Sequence, residues 1–579
     1  MYKRIILTLF LSLPPAALLN GQATTSLSGS VTDPSGAAVP NATLTLINND
    51  TSARRETRAD TEGRYSFQQV QPGHYHVLAK AAGFSDVIVN DIRLFVDSPA
   101  TIPIVFEKLG TVATTIAVSA ESVQLNTTDA SIGNAIGDKP ITQLPFEARN
   151  VVGLLSLQPG VTYLGEPDPA QQNDFRSGTV NGGKSDQANV TLDGVDVNDQ
   201  QNRSAFTSVL RVTLDSVQEF RTITTNAGAH FGRTSGAQVT LITKSGGNVV
   251  HGSAYEYLRN TLTSANDFFA NKSGLPRAKL NRNVFGVSLG GPIKKNRLFY
   301  FVNWEARKDR SEALSTARIV PTQDFRNGIF TYQRKDGTIG KLTPADVKGL
   351  DPLGIGENPA VLALLKTYPL PNSSAAGDSL NTSGFIFNAA TPLDWNTYTA
   401  KFDYAIDGNG KHTIFWRGNL QNDRYANGIP QFPGDPPSSV FLTNSKGYAI
   451  AYTGILRANL ISNFHYGYTR QGDESTGIQK TAAARLRDLT DRYRNTTGLI
   501  RNIPVHQISE DLSWIEGSHD VKFGGLARLI RNNRLNQSNS FSDALASSSA
   551  LLGSGGEFLA PDAANTTPTN GSSQTCLAL

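Results

Sequence analysis

The second half of the chain alternates apolar and polar side chains with a period of two. From Thr397 to Asp407, the residues Tyr398, Ala400, Phe402, Tyr404 and Ile406 are apolar, while Thr397, Thr399, Lys401, Asp403 and Asp407 are polar. Successive side chains of a strand point to opposite faces, so this spacing predicts a strand with one apolar and one polar face. Tyr448, Ile450, Tyr452 and Leu456 repeat the pattern, as do Phe464, Tyr466 and Tyr468, whose rings fit an interfacial girdle. About nine such strands are predicted after His251. The stretch Asp309–Asn396 is rich in Pro, Gly and Asn and reads as a long extracellular excursion between them. Period two alone fits two environments: a sheet between lipid and a wet lumen, or a soluble sandwich with one solvated face.

The first half is patterned differently. From Leu27 to about Lys108, short β-rich runs are separated by turn clusters at Asp33-Pro34-Ser35-Gly36, Asp60 to Gly63 and Gln71-Pro72-Gly73, the spacing of an all-β sandwich. Residues 109–120 form an extended linker rich in β-branched side chains. Ser131–Asn248 reads as a mixed α+β segment, with a short helix over Pro145–Leu157 and strands over Ala188–Val197 and Ala237–Thr243.

Lys3 and Arg4 precede the apolar run Ile5–Leu13, and Gly21-Gln22-Ala23 supplies the small residues of a cleavage site, so residues 1–23 are expected to be a signal peptide. The run is too short to span a bilayer and contains Pro14 and Pro15. No later apolar run reaches helix-spanning length, which argues against a helical inner-membrane protein. The formal charge of +4, from 53 basic and 49 acidic residues, leaves no electrostatic footprint for nucleic acid. Cys576 is the single cysteine, so no internal disulfide framework is available.

Three patterns suggest chemistry. Gly178 to Ser185 satisfies the phosphate-binding pattern G-x-x-x-x-G-K-[ST], but polar Gln171–Ser177 precedes it and strand-like Asn189–Val197 follows, where that loop needs a buried strand and then a helix. Asp193, Asp196, Asn198 and Asp199 form an acidic cluster without the spacing of a calcium loop, and are expected to be solvated turn residues. His74 and His76 share one strand face with no third ligand nearby in sequence, and are expected to be exposed. No hydrolase or redox motif occurs, so the chain is expected to be no enzyme, with no catalytic residues, no cofactor and no metal.

Residues 29–85 resemble the carboxypeptidase regulatory-like domain, on Gly29–Ala42 and, more loosely, Ala59–Phe67. The resemblance implies a carbohydrate-binding-like sandwich that is a module and not a peptidase. Gln158–Val161, Val180–Asp199 and Ser216–Ser253 resemble the plug of TonB-dependent outer-membrane receptors, with Phe231-Gly232 standing where many members have Tyr-Gly. The continuation through Gly246–Asn260, Ala265–Asn271 and Arg282–Glu305 resembles the Oar-like type.

The resemblance implies a mainly β fold: a β-sandwich at 24–108, a linker at 109–120, an α+β plug at 121–248, and at 249–579 the N-terminal part of a transmembrane antiparallel β-barrel. The plug motif falls on Asn181, Gly182, Asp193, Gly194, Gly232, Lys244 and Gly246. Asp193-Gly194 is a hairpin turn that needs residues tolerant of positive φ. A candidate TonB box falls on Thr114, Thr115, Ile116, Ala117 and Val118, which would add a strand to TonB; the same stretch fits an ordinary linker equally well.

The implied setting is the outer membrane of a Gram-negative bacterium, with the sandwich periplasmic and outer-membrane lipid around the barrel. The implied partners are TonB and an unidentified large or scarce ligand, such as a carbohydrate, peptide or chelate. A surface adhesin or structural protein binding carbohydrate through its sandwich and loops is the alternative. Family barrels have roughly 22 strands, more than residues 250–579 hold once the excursion is set aside, and Thr575–Leu579 lacks a terminal aromatic strand. The expectation is therefore a fragment whose barrel is incomplete.

Overall fold

The computed structural model describes residues 23–106, 130–163, 178–272, 274–537 and 544–546, apart from 145–148, 150, 185–186, 201–206, 229–230, 232–235, 335, 408–409, 478–483, 487, 493–497 and 517–518. The fold is mainly β.

The N-terminal region is a sandwich of two sheets. One orders its strands Arg54–Arg58, Thr43–Asn48, Gly73–Lys80 and Val87–Leu94; the other centres on Thr25–Thr32, flanked by Arg64–Val70 on one side and by Ala100–Thr101 and Ile104–Val105 on the other. In Gly73–Lys80 the side chains of Tyr75, Val77 and Ala79 are buried, as the period of two requires. They join Leu27, Leu44 and Phe67 in one core. The turns close on carboxylates: Asp33 Oδ1 accepts from the Ser35 and Ala37 amides, and Asp60 Oδ1 from those of Glu62 and Arg64.

The next unit is a five-stranded sheet in the order Val195–Asp196, Asn189–Leu192, Gln238–Thr243, Val217–Thr225 and Ile132–Gly137. Its core holds Val190, Leu192, Phe220, Val239 and Leu241 under Leu154 and Leu155. Of the helix expected over Pro145–Leu157, residues 145–148 and 150 lie outside the described residues and Val151–Leu157 is helical, as 3-10 turns. An α-helix spans Asp138–Gln143 and a 3-10 helix spans Val151–Leu157. Gly153 sits among apolar neighbours in the second segment, and its low helix propensity favours a short turn packed on the sheet over a continued α-helix. The strand expected over Ala188–Val197 is two strands joined by a tight turn at Asp193-Gly194.

The largest sheet has eleven strand segments, all paired antiparallel. Ser439–Thr443 and Lys446–Arg457 lie end to end between the same two neighbours, as do Asn533–Gln537 and His519–Ile530 beside Gly498–Glu516. The sheet thus has nine strand positions, His251–Asn260 forming one edge and His519–Gln537 the other among the described residues. Connections alternate in length. Lys294 to Leu298 and Arg457 to Leu460 are tight turns and Glu516 to His519 is equally short in sequence, whereas Asn260 to Asn281, Asp309 to Leu393 and Thr476 to Gly498 are long. Short turns at one end and long loops at the other are the habit of outer-membrane barrels.

The excursion carries its own fold. Paired strands Glu312–Leu314 with Asn388–Ala390, Arg318–Pro321 with Thr382–Phe385, and Phe330–Gln333 with Ile339–Leu342 surround a core of Val320, Phe325, Leu365 and Tyr368. Thr343 and Asp346 form a reciprocal capping box at the start of the helix Pro344–Leu350. None of these strands joins the large sheet.

Candidate functional site

The most concentrated polar chemistry lies where the five-stranded unit meets the polar face of the large sheet. Asp193 and Gly194 take φ of 48° and 79°, the two left-handed values of a type I′ hairpin turn. The turn places the Asp193 carboxylate between the end of the neighbouring strand Gln238–Thr243 and the polar face of the large sheet. A Cβ at position 194 would also lie 3.0 Å from His465 Nδ1, so glycine is favoured there by conformation and by space.

Asp193 is 2% exposed and fully engaged. Oδ1 accepts from the Thr243 amide at 3.0 Å, and Oδ2 from the Thr243 hydroxyl at 2.7 Å. From the large sheet, Arg417 Nε donates to Oδ2 at 3.1 Å and Lys401 Nζ stands 3.6 Å from Oδ1. Arg417 also donates to the Leu192 carbonyl at 2.9 Å and to Asn419 Oδ1 at 2.8 Å, and Lys401 to the Thr243 carbonyl at 3.0 Å. Burial by itself would raise the Asp193 pKa. The two cations and the Thr243 donors outweigh it and hold the carboxyl below its ordinary range.

Similar contacts ring this one. Asp196 donates its amide to Gln507 Oε1 at 3.0 Å, accepts from Thr469 through its carbonyl at 3.1 Å, and pairs with Arg528. Arg211 meets Asp423 at 2.8 Å with its guanidinium 3.8 Å from the Trp395 ring centre. Arg149 bridges Asp215 at 2.6 Å and Glu305 at 3.2 Å while lying over the rings of Tyr255 and Tyr257. Burial opposes the Arg149 charge, but Glu305, Tyr255 and Asp215 together raise its pKa. Every one of these pairs joins the five-stranded unit to the large sheet, except Arg149 with Asp215, which lies within the unit.

The expectation that Asp193, Asp196, Asn198 and Asp199 are solvated turn residues is corrected. Asp193, Asp196 and Asn198 are at most 5% exposed, and Asp199 Oδ1 accepts from Gln471 at 3.1 Å. The turn faces another sheet, and buried carboxylates persist only when paired. The wet lumen expected opposite the lipid face is corrected for the same reason. Thr397, Thr399 and Lys401 are buried under the five-stranded unit, and Tyr398 and Phe402 are exposed on the other side.

The other residues singled out in sequence are dispersed. Asn181, with φ of 49°, donates from its amide group to the Thr224 carbonyl and the Thr225 hydroxyl, both at 2.9 Å, and Gly182 completes that turn. Lys244 donates its backbone amide to the Ser216 carbonyl at 2.9 Å. Gly246 runs so close to the second and third barrel strands that a Cβ there would lie 2.3 Å from the Tyr300 carbonyl oxygen. Gly232 and the stretch Thr114, Thr115, Ile116, Ala117 and Val118 lie outside the described residues.

Gly178–Val180 is a strand paired with Val161–Tyr163 and leads to the Asn181-Gly182 turn, not to a phosphate-binding loop. His74 is exposed, and the His76 Nδ1 lies 2.6 Å from Asn49 Oδ1. Among the described residues no group of three acidic, histidine or cysteine side chains could hold a metal.

Sequence reading missed Arg149, Arg211, Thr243, Arg417 and Gln507 as partners. A cation directly after two aromatics in an alternating stretch, as in Phe415-Trp416-Arg417, is the signal that could have found one of them.

Two family models agree with this architecture. The family model described as outer membrane beta barrel domain matches residues 242–560, and the carboxypeptidase regulatory-like domain matches residues 26–107. The TonB-dependent transporter Oar of Myxococcus xanthus is 24% identical over 304 residues, covering 50% of this chain and 27% of that protein. The chain therefore spans about a quarter of the length of the curated relative it matches. Among solved structures, the outer membrane transporter YddB of Escherichia coli has a TM-score of 0.45 at 13% identity, covering 70% of this chain and 52% of that one. The siderophore receptor PirA of Acinetobacter baumannii has 0.42 at 11%, covering 69% and 48%.

Proposed function

This chain belongs to the outer membrane beta barrel domain family, and from that premise we propose that it is the N-terminal portion of a TonB-dependent receptor that imports a large or scarce ligand. It is an outer-membrane protein of a Gram-negative cell, homologous to a TonB-dependent transporter. The observation that carries the reading is the buried contact of Asp193 with Arg417 and Lys401. A folded unit inside a barrel sheet, fastened through ion pairs instead of a dry apolar seam, is held firmly yet can exchange its partners for water when pulled. In this reading, residues 121–248 are the plug and the sandwich at 24–108 hangs in the periplasm. Residues 114–118 form the strand that TonB captures, and the open edges at His251–Asn260 and His519–Gln537 pair with further strands of a larger barrel. Edge amides and carbonyls left open in hydrocarbon would each cost several kcal/mol.

The family is one of membrane barrels and not of enzymes, and we assign the chain no catalysis. The ligand, whether carbohydrate, peptide or chelate, would meet the plug and the folded excursion at the long-loop end.

Titration of the purified periplasmic domain of TonB onto the protein in detergent tests the coupling. Binding is expected for the intact chain and is expected to vanish on deletion of residues 110–119. Equal binding with and without that stretch would overturn its assignment.

A further inference from the structure

The sandwich touches both other parts of the molecule at the end of the barrel that carries the tight turns. Against the barrel rim, the Asn248 amide donates to the Asp50 carbonyl at 2.8 Å, and a Cβ at Gly410 would lie 2.9 Å from that of Ala53. On a distant strand of the same sheet, Gln69 Nε2 donates to Ser513 Oγ at 2.9 Å, with Gln69 only 3% exposed. Between these two rim contacts it meets the plug. The Val96 amide donates to Glu219 Oε1 at 2.8 Å, and Val96 packs with Ile242. These seam contacts are hydrogen bonds, and an open pocket of about 480 Å³ lies beside them. Contacts between domains that are polar and incompletely packed are those that separate.

We propose that the sandwich is a removable cap over the turn end of the barrel, seated on the plug through the carboxyl group of Glu219. Its occupant is thus this chain's own residues 24–106. The contact does not depend on the TonB reading, which supplies only what the cap would close.

Glu219 is 2% exposed. The charged groups that bear on it are Asp97 and Arg93 from the sandwich and Arg221 from its own strand. Arg93 is also engaged by Asp138 at 3.4 Å, and Asp97 Oδ2 accepts from the Thr240 hydroxyl at 3.3 Å. Burial, with Asp97 adding to it, pushes the carboxyl up to about 8. A solvated glutamate has a pKa of roughly 4.3, so seating the cap takes up a proton wherever the free plug is ionised. Seating is therefore strongest below the ordinary carboxylate range, weakens as pH rises through the interval up to about 8, and is level above it.

Disulfide trapping in outer membranes of cells carrying the full chain tests the cap. The single native cysteine allows a clean background through Cys576→Ser. Ala53→Cys with Gly410→Cys reports seating, and Ser52→Cys with Asn248→Cys is a second pair in case the Gly410 turn resists substitution. Ser253→Cys with Ser288→Cys, two register partners of adjacent barrel strands whose hydroxyls are 2.8 Å apart, corrects for thiol chemistry.

Relative to that control, both cap pairs are expected to close at about pH 5.5 and to close far less at about pH 8.5, the seating equilibrium falling by roughly a hundredfold between the two. Glu219→Gln, which keeps an acceptor for the Val96 amide without a charge, is expected to close equally at both. Absence of closure at the lower pH while the control pair closes would overturn the cap. A ratio indifferent to pH, or loss of closure in Glu219→Gln, would overturn the role of Glu219. None of these readouts requires TonB or transport, so this proposal and the functional reading fail separately.

Discussion

In the sandwich strand Gly73–Lys80, the buried side chains are Tyr75, Val77 and Ala79; in the barrel strand Leu393–Ala405, they include Thr397, Thr399 and Lys401, with Tyr398 and Phe402 outside. Both strands alternate with a period of two, and both bury one face. The difference is the solvent beyond the other face. The sandwich turns its apolar side inward because water surrounds it. The barrel turns its apolar side outward because lipid surrounds it, and its polar side closes on the plug. Sandwich stability therefore rests on dry packing, and barrel-to-plug cohesion on paired charges.

The largest expected effect comes from breaking the buried pairing. Arg417→Ala leaves Asp193 with Lys401 as its one remaining cation and is expected to cost about 3–5 kcal/mol in urea unfolding of the lipid-reconstituted protein. Adding Asp193→Ala should return part of that loss, and strictly additive costs would refute the pairing. The same contact has a pH signature. Asp193 is held below the ordinary carboxyl range, so its contribution is complete above that range and is lost as pH falls through the depressed value. Protease cleavage of the plug should rise in acid for the native chain and change less in Asp193→Asn.

Next in size is the dry core. Leu44 is fully buried in the sandwich, and Leu44→Ala is expected to cost about 2–5 kcal/mol through lost transfer energy and a cavity. The sandwich should melt earlier while the plug's protease resistance holds; joint loss would show that the regions are one cooperative unit. Phe402→Arg asks the converse question on the lipid face, with an expected cost of about 2–4 kcal/mol near the bilayer midplane. A neutral result in vesicles would remove that face from lipid. The smallest effect belongs to the excursion, where Thr343→Ala removes one half of a capping box and is expected to cost about 1 kcal/mol. That loss should appear as faster local proteolysis near Pro344–Leu350 with the barrel unchanged.

Much of this contrast was legible in the chain. The alternation of Tyr398, Ala400 and Phe402 with Thr399 and Lys401 follows from strand geometry, which is local. The turn at Asp193-Gly194 was equally plain, because few residue pairs take positive φ twice in succession. The described part of the helix expected over Pro145–Leu157 is the 3-10 helix Val151–Leu157, a type the sequence did not specify, since apolar residues in a short run do not distinguish an α-helix from 3-10 turns packed against a sheet. The excursion's own core was also hidden. Its strands are three or four residues long, and Phe432, Leu486 and Leu489 reach it from other loops.

The sequence by itself determined the order of modules, the two faces of each barrel strand and the hairpin that presents Asp193. It left open what each polar face would meet. Only the tertiary structure decided that Asp193 is buried against Arg417, 224 residues away, that the polar face of Leu393–Ala405 is covered, and that Glu219 lies under the sandwich backbone at Val96. The physical reason is that periodicity records which side of a strand an atom occupies, whereas the worth of a charge depends on the dielectric and the partners around it. Those are supplied by chain segments that meet only when the whole is folded.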